Sequence, residues 1–326
     1  MGFLIFAAAV AVVILIFAYY CYRTAFYSPK NRKEDLFQVP DGEQYAKYGQ
    51  RLVEISLIMD DAQCKKVQIQ AQDGTALSGR LYEFYPDAPV ILAFHGYRSI
   101  ALRDCAGAFA LSQKLGFNIL APDQRAHGES GGKAITFGIR ERKDCMDWIK
   151  FLCGYYGPET PIILSGISMG AATVLMASEL DLPKNVACIM ADCPYDTPMG
   201  IISKVAGDRG YPVNLSRPII ALGARIFAGL NINETSASDA VRSAKVPILL
   251  IHGEDDRFVP CDMSRHIASC VADNVQLHTF PDAGHGLCYI MDPRRYEKIC
   301  VDFLWSSPAL VPHLEKSEFA KMVHDA

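Results

Sequence analysis

Short blocks of apolar residues recur along most of the chain, and their spacing predicts alternating strands and helices. The first pair of strands is predicted around Asp73-Gly74, a common hairpin turn, because the residues before it alternate apolar and polar side chains. The predicted strands cover residues 65–71, 77–84, 90–96, 117–123, 161–168, 186–193, 247–253 and 275–280. Several of these runs are apolar throughout, as in strands that are buried on both faces.

Helical patterns between the strands, such as those at 104–115 and 139–153, predict an α/β fold with a mostly parallel, doubly wound sheet. The catalytic groups of such sheets lie at the carboxyl ends of the strands. The interval between Cys193 and Pro247 is much longer than a crossover requires, and it carries helical apolar patterns. We therefore predict a short helical cap, inserted at about 195–241, over the carboxyl edge of the sheet.

The N-terminal segment from Phe3 to Tyr22 contains no charged or amide side chain. As a helix it would span about 30 Å, the thickness of the hydrocarbon core of a bilayer. Aromatic residues gather at its end, as in an interfacial belt. A cleaved signal peptide is the alternative, but no basic residue precedes the apolar run and no small-residue cleavage motif follows it. A retained transmembrane helix over residues 1–22 is therefore favoured.

Basic residues follow this helix and none precedes it, which predicts a single-pass membrane protein whose catalytic domain lies on the cytoplasmic side. These residues are Arg23, Lys30, Arg32 and Lys33.

The eleven cysteines are scattered and form no C-x-x-C pair, so we expect no metal site, no disulfide framework and a reducing compartment. The net charge of −4, with no long basic run, gives no reason to expect nucleic acid as a partner.

The predicted organisation has four parts: an anchor at 1–22, a juxtamembrane segment at 23–64, a globular domain at 65–305 and a C-terminal tail at 306–326. A short helix is predicted near 45–59 in the second part, and an amphipathic helix in the tail. Because the candidate catalytic residues all lie in the third part, a fragment that begins near residue 36 is expected to fold and to remain active.

A serine between two glycines ends one of the apolar strands, in the sequence Gly166-Ile167-Ser168-Met169-Gly170. The helical pattern that follows makes this a strand-turn-helix junction. A turn this sharp forces strained backbone angles on its central residue and brings strand and helix so close that only glycine fits at 166 and 170. The sequence therefore predicts a nucleophile elbow, with Ser168 held at the carboxyl edge of the sheet.

A serine nucleophile needs a base to accept its proton and an acid to orient that base. Three acids, Glu254, Asp255 and Asp256, follow a predicted buried strand, and His285 follows the next strand between small residues. The order serine, acid, histidine is the one that an α/β-hydrolase site requires. The other histidines, including His252 at the end of a buried strand, are interpreted as structural or solvated.

From about residue 65 to 305 the chain resembles the α/β-hydrolases, in the branch of monoglyceride lipases and serine aminopeptidases that includes bacterial membrane-anchored members. The resemblance is carried by FHGYRS, PDQRAHGESGG, GISMGAA, ADCPY, VPILLIHGEDDRFVP and DAGHG. It implies that Asp256 is the acid, with Asp255 as the alternative. It also implies that the backbone N–H groups of Tyr97 and Met169 form the oxyanion hole.

The leading hypothesis is a serine hydrolase that cleaves carboxylic esters without metal or cofactor. An aminopeptidase or amidase with the same triad would need an anion in its pocket to bind a free amine, and the cap offers only Asp208 between residues 198 and 230. A membrane-tethered scaffold with an inert hydrolase fold also remains open. A haloalkane dehalogenase is excluded, because that enzyme needs an aspartate at the elbow and this chain has Ser168 there.

The anchor and the apolar cap sequence IIALGARIFAGL suggest a lipophilic or monoglyceride-like ester as the substrate. Either one face of this cap segment lines an acyl pocket while the other packs on the core, or both faces are simply buried. A water-soluble ester with a short acyl chain is the alternative.

Overall fold

The computed structural model describes residues 1–29, 39, 42–271 and 273–325. Eight strands form one sheet at its centre. They are β1 (Lys65–Gln70), β2 (Ala76–Tyr82), β3 (Val90–Phe94), β4 (Asn118–Pro122), β5 (Ile162–Ile167), β6 (Val186–Asp192), β7 (Ile248–Gly253) and β8 (Val275–Phe280). Each lies within or next to a strand that the apolar pattern predicts.

The strand order is β1-β2-β4-β3-β5-β6-β7-β8. β2 runs antiparallel to β1 and to β4, and the remaining pairs are parallel. The hairpin predicted at Asp73-Gly74 joins β1 to β2, with Gln70 paired to Ala76. The prediction of a mostly parallel, doubly wound sheet is therefore confirmed.

Helices cover both faces of the sheet. The α-helices are α1 (Gly2–Cys21), α2 (Glu43–Ala46), α3 (Gly49–Asp61), α4 (Ala101–Asp104), α5 (Ala106–Leu115), α6 (Glu141–Tyr156), α7 (Met169–Ala177), α8 (Pro198–Asp208), α9 (Val213–Phe227), α10 (Ala237–Ala240), α11 (Cys261–Ser269), α12 (Cys288–Met291), α13 (Pro293–Trp305), α14 (Val311–Leu314) and α15 (Glu318–His324). A π-helical turn at Tyr22–Phe26 continues α1, and a 3-10 turn at Val241–Ser243 follows α10.

Successive side chains of a strand point to opposite faces, and the two cores follow this alternation. Ile91 of β3 packs in the core under α3, α5, α13 and α15. Its neighbour Leu92 packs in the other core, which includes Trp148 of α6 and residues of α7, α10 and α11. The sheet is thus buried on both faces, which explains why its parallel strands are apolar throughout.

Helices α8 and α9 form the cap that the long interval after β6 predicts. They share a third apolar cluster with Met169 of α7 and with Phe26. Helix α9 also packs against α1 at very close range, since a Cβ added to Gly223 would lie 2.3 Å from the carbonyl oxygen of Ala18. The cap therefore lies between the catalytic core and the end of the N-terminal helix.

Within the described ranges, one helix, Gly2–Phe26, is long and apolar enough to cross a membrane, a test that a signal sequence would also pass. Its end is part of the folded domain: Phe26 is fully buried, and Tyr27 forms a β-bridge with Ala134. Three of the basic residues used to predict the topology, Lys30, Arg32 and Lys33, lie outside the described residues, as do the other residues of 30–38 and residues 40–41 of the predicted juxtamembrane segment.

The helix predicted near 45–59 is present as α2 and α3, which pack against the domain instead of forming part of a polar linker. The tail forms two short helices, α14 and α15, where one amphipathic helix is expected. Leu310, Leu314 and Ala320 of this tail are fully buried beside α5 and α13. Both terminal segments thus contribute to the core.

Candidate active site

Ser168 lies at a strained turn between β5 and α7, with φ 55° and ψ −117°. Such angles are costly for a residue with a side chain and are seen mainly at functional sites. The flanking glycines are required by space: a Cβ on Gly166 would lie 2.3 Å from the backbone of Gly170, and a Cβ on Gly170 would lie 2.0 Å from the carbonyl oxygen of Phe94. The turn therefore has the geometry of a nucleophile elbow.

The structure brings Ser168, His285 and Asp256 together although they are far apart in sequence. The Oγ of Ser168 lies 2.9 Å from Nε2 of His285. On the other side of the imidazole ring, Nδ1 lies 2.7 Å from Oδ2 of Asp256. Both distances allow hydrogen bonds, and their order is that of a serine-histidine-acid triad.

Asp256, and not Asp255, is the acid beside His285. Its Oδ1 accepts hydrogen bonds from the backbone N–H groups of Phe258 and Val259, at 2.9 and 2.8 Å. Asp255 is about half exposed and lies 3.5 Å from the guanidinium of Arg257. The structure thus places the carboxylate that the family resemblance selects next to the imidazole.

Burial and nearby charges shift the pKa values of Asp256 and His285 in opposite directions. Burial favours the neutral form of Asp256, but the nearby imidazoles of His285 and His252 outweigh it and hold the pKa of Asp256 well below its usual range. Burial likewise disfavours the charged form of His285, but Asp256 outweighs it and raises the pKa of the imidazole. The pair is therefore arranged to stabilise an imidazolium that forms when His285 takes a proton.

The assignment of the oxyanion donors to Tyr97 and Met169 stays a prediction, and both residues lie beside the elbow. Met169 is the first residue of α7, so its backbone N–H points out of the helix N-terminus, which favours negative charge. Gly96, just before Tyr97, approaches Ser168 so closely that a Cβ added to it would lie 3.4 Å from the serine Cβ. The turn after β3 and the elbow therefore face each other across one small space.

A cavity of about 330 Å³ opens at this point, and Ser168, His285 and Tyr97 are among the residues that line it. Its apolar wall includes Leu52 and Ile55 of α3. The expectation that one face of the cap lines the pocket is wrong for the residues that the structure describes, since none of residues 195–241 borders this cavity. The helices α2 and α3, which precede the sheet in sequence, cover the site instead.

Several polar residues of the cavity escaped the sequence analysis. Asp192, Asp104 and Arg103 line it, and so does Gln44 of α2. The hydroxyl of Tyr45 donates a hydrogen bond to the carbonyl oxygen of His285 at 3.0 Å. Asp192 belongs to the stretch ADCPY, which carries part of the family resemblance, so that stretch was the available signal. Nothing local in the sequence connects α2 to the site.

One group of side chains in the described ranges has the spacing of a metal site. Cys193, Asp256 and His285 offer ligand atoms within 4.8 Å of one another. However, Asp256 and His285 are already hydrogen-bonded to each other, and burial raises the pKa of the Cys193 thiol well above its ordinary value. A protonated thiol is a poor metal ligand. The hydrogen bonds of the triad account for this cluster without an ion.

The fold and the site define a class of enzyme in which a serine at a strained elbow is paired with histidine and a carboxylate. Comparison with known proteins gives the family: the model of the alpha/beta hydrolase family matches residues 90–299. The chain belongs to this family, as the resemblance predicts.

Two characterised proteins and one uncharacterised protein illustrate the relationship. The chain is 25% identical to the uncharacterized protein YqkD of Bacillus subtilis, over 58% of this chain and 63% of YqkD. It is 27% identical to a monoacylglycerol lipase of Mycolicibacterium smegmatis, over 61% of this chain and 81% of the lipase. A solved esterase of Pyrococcus furiosus superimposes with a TM-score of 0.62 at 26% identity, covering 77% of this chain and 93% of the esterase. The chain spans about half to two thirds of the length of the first curated relatives it matches.

Proposed function

We propose that this hydrolase cleaves carboxylic esters through Ser168, His285 and Asp256. The observation that carries the proposal is the pair of short distances, 2.9 Å from Ser168 to His285 and 2.7 Å from His285 to Asp256. Ser168 Oγ attacks the ester carbonyl while His285 Nε2 accepts its proton. Asp256 keeps the imidazole in the required tautomer and stabilises the imidazolium.

The tetrahedral intermediate collapses when His285 returns the proton to the leaving alcohol, which leaves an acyl group on Ser168. A water molecule then attacks this acyl-enzyme with His285 again as the base, and the carboxylic acid departs. The backbone N–H groups of Tyr97 and Met169 stabilise the negative oxygen in both steps. The helix dipole of α7 supports this role of Met169.

The substrate class that we propose is a lipophilic, monoglyceride-like ester. Three observations support it: the apolar wall that α3 gives to the cavity, the polar groups beside Ser168, and the similarity to a monoacylglycerol lipase. The long apolar helix α1 is proposed to anchor the chain in a membrane as a single span, with the catalytic domain on the cytoplasmic side. An anchored enzyme meets membrane lipids at high effective concentration.

An aminopeptidase or amidase is the second candidate, and one observation favours it. The cavity contains the carboxyl groups of Asp104 and Asp192, so an anion that could bind a free amine is present near Ser168. Hydrolysis of a matched ester and anilide with the same amino-acid acyl group separates the two candidates. A non-catalytic scaffold would hydrolyse neither.

Covalent labelling with a fluorophosphonate tests the nucleophile. Ser168→Ala is expected to abolish labelling while circular dichroism stays unchanged, because this hydroxyl alone is held at the elbow beside His285. Ser243→Ala, which changes an exposed serine outside the cavity, is the matched control and is expected to label like the wild type. Full labelling of the Ser168→Ala variant would place the nucleophile elsewhere.

Esters of graded chain length test the substrate class. The specificity constant kcat/KM is expected to rise from acetate through butyrate to octanoate, because each methylene that enters an apolar wall adds up to about 0.8 kcal/mol of transition-state binding. Solutions below the critical micelle concentration keep the comparison free of aggregation. A maximum at acetate would contradict the lipophilic substrate and favour a small water-soluble ester.

A further inference from the structure

Two buried acceptor oxygens of the cavity have no hydrogen-bond donor. They are Oδ1 of Asp192 and Oε1 of Gln44, both shielded from solvent and both on residues that line the cavity. Nearly all buried polar atoms in proteins are hydrogen-bonded, so an acceptor without a donor calls for a physical reason. A bound molecule that donates hydrogen bonds to these oxygens would explain why the protein leaves them unpaired.

These two atoms differ from the other unpaired buried atoms of the described residues. The others are three hydroxyl oxygens and one indole nitrogen, and none belongs to a residue that lines the cavity (Tyr82, Tyr195, Ser203 and Trp305). Each of those groups can itself donate a hydrogen bond. A carboxylate can only accept, and although the hydroxyl of Tyr296 interacts with the carboxyl group of Asp192, Oδ1 of that group has no donor.

Asp192 lies beside the reacting atoms. It ends β6, next to β5, and its carbonyl oxygen accepts a hydrogen bond from the backbone N–H of Ser168 at 2.8 Å. Burial raises the pKa of its carboxyl group to about 6, so the group is ionised at neutral pH. The second acid of the cavity is already engaged: Oδ2 of Asp104 accepts from the backbone N–H of Gly96, and Oδ1 lies 3.4 Å from Nε of Arg103.

Gln44 approaches the cavity from another wall. It belongs to α2, ahead of the sheet in sequence, and its Oε1 lies against Gly284, where an added Cβ would be 2.3 Å away. The adjacent Tyr45 is hydrogen-bonded to the carbonyl of His285, which fixes α2 over the triad. The cavity is therefore bordered by one residue with an unpaired acceptor at the end of a strand and by another in the covering helix.

We propose that Asp192 and Gln44 bind a donor group of the substrate, a hydroxyl or an ammonium close to the ester that Ser168 attacks. This inference rests on the proposed function and names the feature that selects its substrate. A free hydroxyl of a glycerol ester and the ammonium of an amino-alcohol ester present the same donor chemistry. An alkyl ester with no donor leaves both acceptors unpaired, and sites of this kind reject such analogues strongly.

The test compares three octanoate esters on the full-length protein in detergent: the 1-glycerol ester, the ethanolamine ester and the methyl ester. The kcat/KM for at least one donor-bearing ester is expected to exceed that for the methyl ester about 10- to 100-fold, the contribution of a hydrogen bond to a charged group. Asp192→Leu is expected to bring this ratio close to one. Gln44→Leu should lower it by a smaller factor.

Two more variants control the comparison. Asp192→Asn keeps an acceptor but loses the charge, so it should retain much of the glycerol preference and lose an ethanolamine preference. Its side chain has nearly the volume of the original, which guards against a variant that fails to fold. Asp196→Leu removes an acid of the loop that follows β6. Its carboxylate bonds to His266 outside the cavity, so this variant should keep the wild-type ratio.

The outcomes separate this inference from the proposed function. Equal rates on all three esters, or a preference that survives Asp192→Leu, would overturn the donor site and leave an esterase. No hydrolysis of any ester by the wild type would overturn the proposed function and this inference with it. A preference for the glycerol ester or for the ethanolamine ester supports the inference and says which donor the substrate carries.

Discussion

Asp256 interacts with two histidines and two backbone amides at once. Its Oδ2 lies 2.7 Å from Nδ1 of His285 and 3.2 Å from Nε2 of His252, while Oδ1 accepts the N–H groups of Phe258 and Val259. His252 is fully buried, and its Nδ1 lies 2.7 Å from the hydroxyl of Ser264. The sequence suggests only a structural role for His252, and the structure shows what it supports: the orientation of the carboxylate.

The acid assignment predicts unequal effects at two neighbouring residues. Asp256→Asn is expected to lower kcat about 10³- to 10⁴-fold, because the amide cannot hold His285 in its catalytic tautomer. Asp255→Asn, on an exposed side chain, should change kcat less than about twofold. Steady-state kinetics on an activated ester measure both. The opposite ranking would move the acid by one residue.

The same substitution predicts a pH effect with a definite sign. His285 must be neutral to act as the base, and Asp256 raises its pKa, so the wild type loses activity as the pH falls through that raised value. Removal of the charge in Asp256→Asn lowers the pKa of His285. The acid limb of the residual kcat/KM profile should therefore move to lower pH, and an unmoved limb would argue against this coupling.

Asp192 predicts a pH-dependent change in stability. Its pKa rises from an ordinary 3.8 to about 6 in the folded state, chiefly through burial, so stability is lost as the pH rises through about 6. The ionisable groups around it are His252, His285, Tyr296 and the thiols of Cys193, Cys288 and Cys300. Asp192→Asn removes the loss, which is on the order of 3 kcal/mol for a shift of this size. Thermal unfolding should show a larger gain in Tm at pH 8 than at pH 5, and equal gains would contradict the shift.

At the scale of elements, the end of the N-terminal helix is hydrogen-bonded to the turn that carries Tyr97. The Tyr97 hydroxyl donates to the carbonyl oxygen of Ala25 at 2.8 Å, and Arg98 Nη2 donates to that of Thr24 at 2.7 Å. Rings continue the contact, since Phe26 packs edge-on against Phe137, and Phe137 stacks on Tyr97. The proposed oxyanion turn is thus supported by a segment that precedes the catalytic domain in sequence.

This contact predicts that Phe26→Ala weakens the catalytic domain. Removal of a fully buried phenylalanine costs about 3–5 kcal/mol of unfolding free energy, and the loss should also lower kcat because Tyr97 loses its support. Phe6→Ala on the exposed side of α1 is the matched control, with a change below about 0.5 kcal/mol. Unfolding and turnover of the full chain in detergent measure both effects. Equal stability of the two variants would contradict the docking.

The sequence predicts the elements whose signals are local. Apolar periodicity locates the eight strands, and glycines on both sides of Ser168 mark the elbow, because steric limits act between residues close in sequence. Other features depend on contacts between segments that are distant in sequence, and such contacts produce no local pattern of apolar residues. These features are the position of α2 over the cavity, the acceptor Gln44 and the burial of Phe26. A fragment that begins near residue 36 lacks Phe26 and its contacts in the third apolar cluster, and that such a fragment folds and remains active stays a prediction.

At the scale of the whole molecule, segments from both ends of the chain complete the hydrolase domain. Helices α2 and α3 enclose the cavity, and α14 and α15 extend the core beside α5. The domain is therefore larger than the interval 65–305 that carries the family resemblance. The cap, in turn, contacts α1 and the catalytic core and links the two.

The apolar helix is packed directly on the domain, without a flexible linker between them, because Gly223 lies against Ala18 and Phe26 is buried. If the helix spans a bilayer as proposed, this packing fixes the orientation of the domain relative to the membrane. The mouth of the cavity then stays at one height and one tilt above the lipid, and the domain cannot reach across to a facing membrane. Hydrolysis would be confined to esters in the leaflet beneath the enzyme, so that lateral diffusion within that leaflet, and not encounter from solution, supplies the substrate.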